Sequence, residues 1–126
     1  MNNSEIKITV INYGADNIEV KNYLTYAQIQ KIIETTIKYQ TWAERQTNID
    51  LMVLCYVTNF SKEQVEKLGI DYFVQTGLLE KILDCVNNYS DIFNGINYHE
   101  SFTKAIIEIS KNLPQLKEVI MNELHK

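Results

Sequence analysis

The sequence predicts a mainly α protein in which an N-terminal β-hairpin packs on a compact bundle of five or six helices. Three observations carry that expectation. Polar and apolar residues alternate only within the first two dozen positions, whereas from Thr25 onward apolar residues recur at i, i+3 and i+4. Thr25, Thr41 and Ser61 each stand three residues ahead of a Gln or Glu, the spacing that caps a helix start. The 126 residues suit one domain, 1–126, with residues 1–24 as a hairpin arm and 25–126 as a helical body. An apolar fraction of 45%, with only four Gly and one Pro, marks a chain that folds rather than a disordered one.

Glu5 to Ile11 alternates and is rich in β-branched residues, Asn12 to Asn17 holds Gly14, Asp16 and two Asn, and Ile18 to Lys21 is again extended. A lone hairpin is marginal in water, so the face carrying Ile6, Ile8 and Val10 is expected to pack on the helices or on another chain.

Thr25 and Gln28 open a first helix, about Tyr26 to Tyr39, with Ile29, Ile32, Ile33 and Ile37 on one face. Thr41 and Glu44 open a second near Trp42. Its later half, Leu51 to Val57, is apolar all round and should be central. Ser61 and Gln64 cap a short helix, Lys62 to Leu68, that Gly69 closes in the left-handed conformation. Beyond Gly77, Leu78, Leu79, Ile82, Leu83 and Val86 make a fourth stripe. A further turn starts at Ser90 and is interrupted at Gly95. Phe102, Ala105, Ile106, Ile109 and Leu113 then mark a helix stopped by Pro114, and Leu116, Val119, Ile120 and Leu124 form a last short one. The expected core is Ile29, Ile33, Ile37, Leu51, Leu54, Cys55, Leu68, Phe73, Leu79, Ile82, Val86, Phe102, Ile106 and Ile109.

The net charge of -4 and the single arginine, Arg45, leave no basic cluster for a phosphate backbone, so nucleic acid is not an expected partner. The opening residues lack a basic signal-peptide region. The longest apolar run, Leu51 to Val57, is far shorter than the ~20 residues of a membrane span. Cys55 and Cys85 lie in apolar helical segments without metal-ligand spacing, as free thiols do in a reducing compartment.

Chemistry is sparse. His99 and Glu100 are neighbours, and with Asp84 and Cys85 they are the one nucleophile-and-base candidate. Adjacent helical residues point in different directions, and no Gly-rich elbow accompanies the cysteine, so the expectation is a surface histidine and no enzyme. The two His and two Cys are too far apart in sequence for a helical metal site, and Gly14 and Gly69 are isolated. No metal, no cofactor and no small-molecule substrate are expected.

Two surfaces remain as protein-contact candidates. One is the hairpin edge with Ile6, Ile8 and Val10, whose unpaired backbone groups suit strand addition or self-association. The other is the corner of Tyr39, Trp42 and Arg45, residue types enriched in binding hot spots. A Trp at a helix junction more often packs the turn, and that is the role expected first for Trp42. Tyr56, Tyr72, Tyr89 and Tyr98 should each sit half in the core with the hydroxyl at the surface.

The order of a short hairpin, then Val20 to Ile29, then a helical remainder, together with Thr41 to Asp50, resembles small proteins of tailed phages and prophages of low-GC Gram-positive bacteria. These include tail assembly chaperones and other morphogenesis or virion proteins. The resemblance implies a non-enzymatic structural or assembly role in head or tail morphogenesis. The implied partners are other phage structural proteins or the chain itself, and the implied location is the host cytoplasm during assembly or the virion. It carries over no functional residue. The alternative is a small phage inhibitor of a host defence protein, for which an acidic surface would suit a basic target.

Overall fold

The computed structural model describes residues 7–124, which form β1 (Ile8–Tyr13), β2 (Asp16–Lys21), α1 (Tyr26–Thr36), α2 (Trp42–Val57), α3 (Lys62–Leu68), α4 (Ile70–Gln75), α5 (Leu78–Asp84) and α6 (Ser90–Leu124). The mainly α fold with an N-terminal hairpin is thus the one the sequence predicts. The chain divides between Phe93 and Asn94 into two units. The first holds the hairpin, α1 to α5 and the first residues of α6. The second is the remainder of α6.

β1 and β2 are antiparallel in a register that runs from Tyr13↔Asp16 to Ile8↔Lys21. The loop is two residues, Gly14 and Ala15, much shorter than the expected Asn12 to Asn17. Gly14 has φ +61° and among the described residues no non-glycine, Ala15 included, has positive φ, the pattern of a type II′ turn whose twist matches that of the strands. The register also decides which face packs. Ile8 and Val10 stand across from Lys21 and Glu19 and are 55% and 53% exposed, whereas Ile11 shares its face with buried Ile18 and Val20. Of the two covers expected for Ile8 and Val10, helices of this chain or another chain, the first is therefore corrected; Ile6 lies outside the described residues. Val20 forms a bridge to Thr58 just past α2, and Asn59 Oδ1 accepts from the Glu19 N–H at 3.1 Å. Behind β2, the Asn88 side chain accepts from the Leu24 N–H at 2.9 Å and donates to the Leu24 carbonyl at 2.8 Å.

Each cap falls where the sequence places it. Thr25 with Gln28 and Ser61 with Gln64 form reciprocal capping boxes. Thr41 accepts from the Glu44 N–H, but the Glu44 carboxylate accepts a hydrogen bond from the Thr41 hydroxyl instead of from the backbone N–H, so that box is half made. α1 stops at Thr36, short of the expected Tyr39. Gly69 has φ 79° and ψ 159°, a positive-φ extended conformation rather than the expected left-handed one, and α4 follows at once as a helix of its own. Gly77, with φ 76° and ψ 2°, supplies the left-handed turn into α5.

The core forms where the later half of α2 meets its neighbours. Val53, Leu54 and Val57 are buried, together with Ile29, Ile32 and Ile33 of α1, Ile49, Val65, Phe73, Leu78, Ile82 and Val86. Phe73 makes edge-to-face pairs with Phe60 and Tyr72 at 5.5 Å between centroids. Of the expected core, Ile37, Leu51, Cys55 and Leu79 are only half-buried, and Leu68 is exposed on the outer side of α3.

α6 is the largest departure. It runs unbroken through Gly95 and Pro114 instead of forming separate helices. Pro114 removes one N–H and leaves the Ser110 carbonyl without its helical donor. On an exposed helix water can take that bond, so the helix continues. Every described residue from Asn97 to Leu124 is exposed, including Phe102, Ile106 and Ile109, which the sequence placed in the core, and Tyr98, which it placed half inside. The stripe was legible; its cover was not.

Candidate functional site

The Tyr39, Trp42 and Arg45 corner is brought together by the start of α2. Thr41 caps the helix, which sets Trp42 and Arg45 three apart on adjoining turns. The Arg45 Nε–H donates to the Tyr39 carbonyl at 2.9 Å, and its guanidinium carbon lies 5.7 Å from the Trp42 ring centroid. Trp42 is 55% exposed, so it does not fill the helix junction as first expected. Next to it Tyr39, Ala43, Glu44, Thr47, Asn48 and Leu51 line a depression of about 350 Å³.

The hairpin candidate is divided by its register. Asn22 donates its N–H to the Lys7 carbonyl at 2.9 Å, which makes Lys7 and Asn22 a hydrogen-bonded pair and, by alternation, turns the backbone groups of Ile8 and Val10 away from β2. The Glu19 N–H, on the other margin, points out to Asn59, as the same alternation requires. Thus β1 presents an outer edge with Ile8 and Val10, while the outer edge of β2 is engaged by Thr58 and Asn59.

The nucleophile-and-base candidates are divided between the two units. The Cys85 thiol donates to the Lys81 carbonyl of its own helix at 3.3 Å, Asp84 is exposed on the first unit, and His99 and Glu100 are exposed on α6 in the second. Burial pushes the Cys55 thiol up, reinforced by Glu66, which disfavours its thiolate. No group of three His, Cys, Asp or Glu placed to hold a metal occurs among the described residues.

A polar cluster that sequence reasoning missed lies under α2. Asp50, 5% exposed, accepts from the Tyr89 hydroxyl at 2.7 Å and from Gln46 Nε2 at 3.0 and 3.1 Å, and Gln46 Nε2 also reaches the Tyr89 oxygen at 2.9 Å. Burial raises the Asp50 pKa, and the bonds from Tyr89 and Gln46 pull it back. Burial also pushes the Tyr89 hydroxyl up, and the neighbouring Asp50 pushes it further, so it stays a donor. Through these bonds Asp50 ties α2 to the residue before α6. The Gln46 and Asp50 spacing of four was the one signal in the sequence.

The most extensive exposed apolar surface is on α6. Phe102, Ile106, Ile109, Leu113, Leu116 and Ile120 follow one another at intervals of 4, 3, 4, 3 and 4, and each is between 46% and 58% exposed. No helix among the described residues is long and apolar enough to cross a membrane. Comparison with known protein families, curated proteins and solved structures finds no match to this chain.

Proposed function

We propose that this chain is a non-enzymatic structural or assembly protein that acts through contacts with other proteins. The observation that supports the reading is the exposed apolar stripe of α6. Soluble monomers seldom expose contiguous apolar patches beyond roughly 300 to 600 Å², and larger ones mark contact sites. The resemblance to phage morphogenesis proteins supplies the setting: head or tail assembly in an infected cell, or a place in the virion.

Deleting the gene from its phage or prophage tests this. The expected outcome is a fall in particle yield with accumulation of unjoined heads or tails, together with crosslinking of the chain to an identified head or tail protein. Normal particle yield after deletion overturns the reading.

A further inference from the structure

We propose that the apolar stripe of α6 pairs with the same stripe of a second copy of this chain, as a short coiled coil. The inference rests on the assembly reading above and names its first partner.

The spacing selects the shape of the occupant. Intervals of 4 and 3 repeat every 3.5 residues on average, the period at which a stripe stays against another helix as the two wind round each other. From Phe102 to Ile120 the pattern has no missing member. Pro114 sits just after Leu113 and outside the stripe, so its ring takes no contact position.

Charge selects the identity of the occupant. The positions flanking the stripe are Thr103, Ala105, Ser110, Asn112, Lys117 and Val119, with one charge among them. The other charged groups of this stretch, Lys104, Glu108, Lys111 and Glu118, fall on the far side of the helix. Flanking charges are what coiled coils use to choose a different partner, and α6 offers almost none to read. Between two identical helices the same neutrality avoids like-charge opposition.

Area and helix stability agree. The six stripe residues present on the order of 700 Å² to solvent, close to the ~800 Å² per partner that stable association buries. From Asn97 to Leu124 every residue of α6 is exposed, and pairing supplies burial that offsets the hydrogen bond lost at Pro114.

Sedimentation equilibrium of the full chain across the micromolar range tests the proposal. The wild type is expected at twice the 14.7 kDa chain mass. Ile109→Glu with Leu113→Glu should return it to single mass, and Ile107→Glu, off the stripe, should leave the double mass intact. Fluorescence of Trp42 reports whether the first unit stays folded in each variant. A wild type of single mass throughout, or a double mass that survives the paired Glu substitutions, overturns the proposal. So does a double mass lost with Ile8→Pro but not with the α6 variants, since the contact is then the β1 edge. A single-mass chain that still crosslinks to an identified head or tail protein removes self-pairing and leaves the assembly reading standing. A stripe-dependent dimer whose gene deletion leaves particle yield unchanged does the reverse.

Discussion

The Tyr89 hydroxyl donates to Asp50 Oδ1 at 2.7 Å across 39 residues of sequence, joining the middle of α2 to the residue before α6. Tyr89→Phe keeps the ring and its edge contact with Phe93 but removes that donor. A buried carboxylate left short of a partner costs about 1 to 3 kcal/mol, so the unfolding free energy should fall by that amount and the urea midpoint with it, the slope unchanged. No shift in midpoint would show that the bond does not hold the two segments.

The same aspartate predicts a pH dependence. Burial lifts its pKa above the ordinary 3.8, so the folded chain takes up this proton before the unfolded chain does. Its contribution is therefore fully present below the unfolded value and is lost as pH rises through the raised folded value. Asp50→Asn has no such titration. The stability of wild type relative to Asp50→Asn should rise as pH is lowered from 7 toward about 4, measured by urea unfolding at each pH. A difference that is flat, or that falls, contradicts the raised pKa.

Asn88 treats the backbone of Leu24 as a strand partner, bonding both its N–H and its carbonyl. Asn88→Ala should destabilise the first unit by about 1 to 3 kcal/mol. Asn88→Asp keeps the acceptor for the N–H but sets a carboxylate oxygen against the Leu24 carbonyl. It should be at least as destabilising as alanine, and an aspartate variant near wild-type stability would count against the clasp.

In β1, two adjacent kinds of position should respond differently to proline. The Ile8 N–H points away from β2, so Ile8→Pro costs no ladder bond and should leave thermal stability nearly unchanged. Ile11 pairs through its N–H with Ile18, and Ile11→Pro should cost about 2 kcal/mol or more. Equal effects at the two positions would mean the register is offset by one residue.

Pro114→Ala restores the missing donor within α6. Helical circular dichroism should rise, and amide exchange around Ser110 should slow, consistent with the roughly 3 kcal/mol that separates Pro from Ala inside a helix. Unchanged exchange would place a helix end at Leu113.

Local features were the ones legible in the sequence. Thr25, Thr41 and Ser61 each act within four residues of themselves, so their spacing alone located the starts of α1, α2 and α3. The hairpin was legible as two runs but not in its packing, because which face is covered depends on the partner strand, and Ile18 and Val20 outweigh Ile8 and Val10 only once the register is known. Burial of Phe102, Ile106 and Ile109 was read from a periodicity that says a face wants covering and is silent on what covers it. The Asp50 cluster needed a residue 39 positions away, beyond the reach of any spacing rule. Gly95 and Pro114 misled because a breaker raises the cost of a helix without forbidding it.

The bridge from Val20 to Thr58 has a topological result. Because β2 is already occupied on its outer margin, a sheet grown from this hairpin has a single open end, at β1. Two copies meeting there would use it up, giving a closed four-stranded unit that terminates itself, and an endless fibril by that route is geometrically barred.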